Sequence, residues 1–237
     1  MAKNKPKTNK HPWRKCPLGH HWRSSSHVDA HTRRSFNVKE HYRKGTCVKN
    51  RSGKDTLYDD EIHLISNSFF SKMKSKISEN KLGYKRGNEF NQLIDGWVKY
   101  WNDILKPKVP LDPDFVKALI ATESSFNPKA KNYAGKRSGY ARGLMQVTEL
   151  TVKYLAGHRK ELRNHLLHIE QDDLFDPNIN ISAGVRWLFR KKQIADAKFK
   201  GASWLETVML YKGRRSMNHK EVKEFIRLYE RIKNEKL

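Results

Sequence analysis

The chain has 237 residues, with 49 Lys and Arg against 25 Asp and Glu, and a formal net charge of +24 at pH 7. Hydrophobic residues at 37% and aromatics at 11% can supply a core, which excludes a wholly disordered chain, and the lack of any apolar run long enough to span a bilayer excludes a helical membrane protein. The positive field suits a polyanionic partner, either nucleic acid or the anionic polymers of a bacterial wall, and does not choose between them.

Residues 1–50 stand apart. Lysines and arginines crowd this stretch against only Asp29 and Glu40, and six of the histidines and both cysteines lie in it. With no sustained apolar period it reads as a basic tail of about ten residues and then a small loop-rich unit, which needs a staple or docking onto the rest. Cys16 with His20, and His41 with Cys47, offer the donors of a structural Cys2His2 zinc site. A Cys16–Cys47 disulfide, formed outside a reducing compartment, and two free thiols are the alternatives. The first ten residues are basic with no apolar stretch behind them, so they do not read as a secretory signal peptide.

Residues 51–88 read as a helix and a linker. A turn at 51–55 precedes a ragged apolar face of Leu57, Ile62, Leu64, Ile65, Phe69 and Phe70, and residues 71–88 contain Gly83 and Gly87. Residues 89–237 form the main domain. Phe90, Leu93, Ile94, Trp97, Val98, Trp101, Ile104 and Leu105 follow helical spacing without a gap until the prolines at 107 and 110. Asp112 as N-cap and Pro113 at the first helical position open the next helix. Further helices are expected at about 145–156, 160–169, 178–196, 202–212 and 218–233. No strand alternation or internal repeat is visible, so the expected fold class is all-α, with a small loop-rich N-terminal extension.

Along the helix opened by Asp112, Val116, Leu119 and Ile120 form the apolar stripe, and the next member is Glu123. Partial burial and the negative end of the helix dipole both disfavour a carboxylate, which raises its pKa and suits a general acid near neutral pH. A phase error of one residue would instead leave Glu123 a solvated helix-end acid.

The flanking residues decide between these. Ala121-Thr-Glu-Ser-Ser-Phe-Asn-Pro128 resembles the E-S-x-(F/W)-(N/D)-P block of the soluble lytic transglycosylases. Gly143-Leu-Met-Gln146 resembles their G-(L/M)-M-Q block, and the segment from Asp176 to Gly184 their D-P-x-x-N-I-x-x-G block. The stretch from Trp204 to Gly213 sits where the family has an alanine-tyrosine-asparagine-alanine-glycine turn. Four blocks in order, over about residues 111–215, make the resemblance specific.

The resemblance implies a lysozyme-like helical domain that cleaves peptidoglycan glycan strands, with Glu123 as the catalytic acid/base and no cofactor for catalysis. It implies substrate-binding roles for Met145, Gln146, Asn180 and Tyr211. Tyr211 could orient Glu123 through its hydroxyl, although it also extends a core-facing stripe, and Asn180 could equally be a local tie. Gly143 would let the backbone approach the glycan. Lys212 stands where the family usually has asparagine, and the loop at 130–142 is longer than the family's.

No second acid lies close to Glu123 in sequence, whereas most glycosidases need two. The expected reaction therefore cuts the β-1,4 bond between N-acetylmuramic acid and N-acetylglucosamine by internal attack of the C6 hydroxyl, leaving a 1,6-anhydro end; hydrolysis, as in goose-type lysozymes, is the alternative. Such an enzyme acts in the periplasm or cell wall. Lacking a conventional signal, it is expected to be exported non-classically or injected, as an effector or lysis enzyme whose further partners are delivery machinery or an immunity protein. The segment His11-Pro-Trp-Arg-Lys-Cys-Pro17 is similar to stretches preceding transglycosylase domains in interbacterial effectors. An inert lysozyme-like protein that binds nucleic acid ranks last, since no nucleic-acid-binding motif is present.

Overall fold

The computed structural model describes residues 11–33, 36–51 and 53–235; the expected basic tail at 1–10 lies outside them. The N-terminal unit is strand-rich. Strands β1 (His20–Arg23), β2 (Ser26–Val28), β3 (His31–Arg33), β4 (Phe36–Val38), β5 (His41–Arg43) and β6 (Thr46–Lys49) pair antiparallel from the outside in, β1 with β6, β2 with β5 and β3 with β4. The result is one long interrupted hairpin. The reading as a loop-rich extension to an all-α fold is corrected here: each strand has three or four residues, too few to show alternation.

The remainder is largely helical. Strand β7 (Thr56–Tyr58) leads into α1 (Asp59–Phe69), followed by α2 (Asn91–Leu105) and α3 (Pro113–Ser124). Then come β8 (Lys131–Tyr133), β9 (Tyr140–Arg142), β10 (Val147–Thr148), α4 (Glu149–Leu155), β11 (Leu166–His168), α5 (Pro177–Lys198), α6 (Trp204–Tyr211) and α7 (Lys220–Asn234). The expected helix at 160–169 is not formed. Arg159, Lys160 and His165 have left-handed backbone, which a helix cannot absorb, and Leu166–His168 instead pairs parallel with β7.

Both main helices start as an Asp-Pro pair dictates. The Asp112 carboxylate accepts from Asp114 N–H at 3.0 Å, and Asp176 accepts from Asn178 and Ile179 N–H at 2.8 and 3.0 Å, with proline next in each case. From Asn178 to Phe189, α5 is buried on every side, the pattern of a central helix. The indole N–H groups of Trp97 and Trp101 on α2 donate to Asn178 Oδ1 and the Ser182 carbonyl of α5 at 2.7 and 3.0 Å. One apolar cluster runs from Trp13 through α2, α3 and α5 to Ile232, and it includes Ile77 and Leu82 of the stretch expected as linker.

The hairpin base is fixed to this body. Trp13 is buried against Phe69, Phe70 and Tyr100, and its indole donates to Asp103 at 3.1 Å. Arg14, also buried, pairs with Asp55 and Glu61 and donates to the Thr56 carbonyl, and Asp55 also meets His165 at 2.9 Å. Among the described residues no helix is long and apolar enough to cross a membrane.

Candidate active site

Helix α3 places Glu123. Val116, Leu119 and Ile120 are fully buried as the stripe predicts, and the left-handed Ser125 ends the helix two residues beyond Glu123. The Glu123 side chain is 16% exposed, so it neither projects into bulk solvent nor is sealed away. Beside this helix end lies a hollow of about 420 Å³, bordered by Tyr84, Thr122, Ser125 and Glu221.

Lys212, in the turn after α6, donates to Glu123 Oε1 at 2.6 Å with its own side chain only 3% exposed. Burial lifts the Glu123 carboxyl above the usual carboxylate range. The charge and hydrogen bond of Lys212 oppose that lift, Glu221 adds to it, and Arg214 opposes it. Arg214 is itself engaged by both Glu221 oxygens, at 2.7 and 3.1 Å. The cations are thus divided, one to each carboxylate.

The other expected site residues serve the framework around Glu123 more than its open side. Met145 has no exposed surface and packs against Gly184, where an added Cβ would meet its sulfur at 2.4 Å. The side chain, expected to touch substrate, lies in the core in this structure. Asn180 is equally buried and accepts from Met145 N–H while donating to the Arg142 and Leu174 carbonyls, at 2.8, 2.9 and 2.8 Å. It ties α5 to the loop before β10. Gly143 is left-handed, and Asn180 and the Leu174 carbonyl occupy the space an added Cβ would take, so the close approach it permits is internal.

Gln146 is half-buried, and both ends of its amide are engaged: Oε1 accepts from Asn132 at 2.8 Å, and Nε2 donates to the Gly143 carbonyl at 2.9 Å. It ties the β8–β9 hairpin to the turn before β10. The Tyr211 hydroxyl donates to the Met145 carbonyl at 2.8 Å instead of reaching Glu123. Burial, and then the charge of Glu123, hold that phenol well above its ordinary range, hence protonated.

Two features went unread in the sequence. The Lys212–Glu123 pair had a visible sign, a lysine directly after Tyr211 where an amide is usual, but contact across such a separation has no signature in spacing. The lengthened loop at 130–142 forms β8 and β9, where the exposed rings of Tyr133 and Tyr140 meet edge to face at 5.4 Å.

In the N-terminal unit Cys16 and Cys47 form a disulfide. Their sulfurs are then bonded to each other and are not thiolates, so the zinc alternative with His20 and His41 is not the arrangement found. The two rings instead lie by the Leu18 and Lys39 carbonyls. Among the described residues no group of three or more His, Cys, Asp or Glu side chains could hold a metal ion.

A sequence profile described as the transglycosylase SLT domain matches residues 103–228, over half the chain. Comparison with curated proteins yields no match. Among solved structures, the chain is similar to the 70-kDa soluble lytic transglycosylase in complex with bulgecin A, at 20% identity and a TM-score of 0.34, over 60% of this chain and 21% of that one. It is similar also to the 70-kDa soluble lytic transglycosylase of Escherichia coli, at 20% identity and a TM-score of 0.33 with the same coverage. The chain thus spans about a fifth of the length of those proteins.

Proposed function

The chain belongs to the transglycosylase SLT family, and from that membership we propose that it cleaves the β-1,4 bond between N-acetylmuramic acid and N-acetylglucosamine in peptidoglycan. The observation that carries this reading is the placement of Glu123, a mostly buried carboxyl at the C-terminal end of α3 whose affinity for its proton is raised by burial. The second carboxylate acting on it, Glu221, is paired with Arg214 through both oxygens.

One acid suffices if the substrate supplies the nucleophile. Glu123 gives its proton to the linking oxygen, the C1–O bond breaks with its electron pair passing to that oxygen, and the muramyl acetamido group stabilises the positive C1. The Glu123 carboxylate then takes the proton of the C6 hydroxyl as O6 bonds to C1. No water is consumed, and tethering gives the internal attack a large entropic advantage. The product is a 1,6-anhydromuramyl end.

Such a substrate places the enzyme in the periplasm or cell wall, as an effector or lysis enzyme. The Cys16–Cys47 disulfide accords with an oxidising compartment, and the net charge of +24 accords with an anionic wall. Delivery machinery and an immunity protein are the partners that role would bring.

Glu123→Gln keeps an acceptor for Lys212 but no proton to give. Release of muropeptides from purified sacculi is expected to fall at least about a hundredfold with the helical circular dichroism unchanged. Mass spectrometry of the wild-type products reads the reaction itself: anhydro ends support the proposal, reducing ends assign a hydrolytic muramidase, and retained lysis by the variant removes Glu123 from the mechanism.

A further inference from the structure

We propose that Lys212 is a positioning residue for the cleavage: its ammonium fixes one oxygen of Glu123 and stabilises the carboxylate that forms as the proton leaves. The proposal rests on the reading of Glu123 as the acid/base, and it adds a group which that reading does not need.

The geometry is local and specific. Nζ lies 2.6 Å from Oε1, the lysine side chain is 3% exposed, and the carboxylate partner 16%. Shielded from water, such a pair interacts more strongly than it would on the surface. The turn that delivers Lys212 is held by backbone bonds from Lys212 N–H to the Val208 carbonyl at 2.9 Å and from Arg214 N–H to the Met209 carbonyl at 2.8 Å. Gly213 takes the left-handed backbone that lets the chain reverse there.

The charged and titratable groups around Glu123 leave this task to Lys212. Tyr211, from α6, is committed to the Met145 carbonyl. Arg214, from the same turn as Lys212, is committed to Glu221 on α7, and His219 at the start of α7 bears on Glu221. Lys212 is the cation in direct contact with the acid.

The consequence for the chemistry has a sign. A cation beside Glu123 makes it the stronger acid once protonated and the weaker base afterwards, and lowers the pH at which its proton is lost. Cleavage needs the protonated form in the free enzyme, so activity falls as pH rises through that point. Removing the cation therefore moves the alkaline limb of the profile upward.

The test measures kcat/KM on sacculi against pH for the full chain and for Lys212→Asn and Lys212→Met, together with a carbon-13 titration of the Glu123 carboxyl, assigned by its loss in Glu123→Gln. The two Lys212 variants remove the charge with and without a hydrogen-bond donor, so one serves if the other fails to fold. The alkaline limb and the carboxyl midpoint are both expected to rise by about one pH unit or more. Cleavage with both unmoved overturns the positioning role while leaving Glu123 as the acid. A wild-type protein that leaves sacculi intact, while its Glu123 midpoint still moves on substitution, overturns the enzymatic reading and the role of Lys212 with it.

Discussion

Asn180 makes three hydrogen bonds with one amide, all in a place water does not reach: one from Met145 N–H and two to the carbonyls of Arg142 and Leu174. Its truncation leaves a backbone donor and two acceptors without those bonds, and a buried polar group left unpaired costs about 1–3 kcal/mol. Asn180→Ala is therefore expected to lower unfolding free energy by about 2–4 kcal/mol, read from the urea midpoint. A loss within experimental error would mean that the loop before β10 is held by something else. Sequence alone could place Glu123, because its position follows from the same helix as Val116, Leu119 and Ile120. It offers no such handle on the side-chain directions of Met145, Asn180 and Tyr211. Their motif blocks are recognisable, but whether each side chain points to the surface or the core depends on partners from distant parts of the chain.

Helices with a start signal were legible and the short strands were not. The Asp-Pro opening of α3 is a local device that spacing reveals, and the structure shows similar ones at α5, an Asp-Pro pair, and at α6, the capping box of Ser203 with Glu206. The hairpin of β1 to β6 has no such device, and its pairings are made by strands too short to carry a period. The join between that hairpin and the helical body depends on buried polar groups and so on pH. Burial, and then the charge of Arg14, hold His11 from its ordinary 6.5 down to about 4. Against the opposing effect of burial, the hydrogen bond to His165 and the charge of Arg14 hold Asp55 at about 2. For His11 the folded chain binds the proton more weakly than the unfolded one, so its contribution is complete above pH 6.5 and is lost as pH falls through about 4. Asp55 loses its own contribution only nearer pH 2. Between pH 7 and pH 4 the wild type is expected to lose on the order of 3 kcal/mol more than His11→Asn, which cannot take up the proton but keeps an acceptor for Trp13 N–H. Equal losses in urea titrations of the two proteins would remove His11 as the cause.

The net charge of +24 acts over distances that no single contact covers, and salt screens it. If the proposed activity holds, Glu123→Gln protein should bind a wall without cutting it, and it is expected to be retained by purified sacculi at low salt and progressively released between about 0.05 and 0.5 M sodium chloride. Retention indifferent to salt would mean that the net charge does not hold the protein to the wall. Trp13, just before the N-terminal hairpin, belongs to the apolar cluster of the helical domain, so what the sequence divides by composition the fold joins by burial at the hairpin base. The parallel pairing of β7 with β11 also sets an order of assembly for a chain made from its N-terminus. Thr56–Tyr58 leaves the ribosome long before Leu166–His168, and throughout the synthesis of α1 to α4 its edge has no mate. Until then Asp55 also waits for His165. The strand Thr56–Tyr58 is therefore made well before it can pair, and a nascent chain arrested short of Leu166 would leave open what the finished one holds shut.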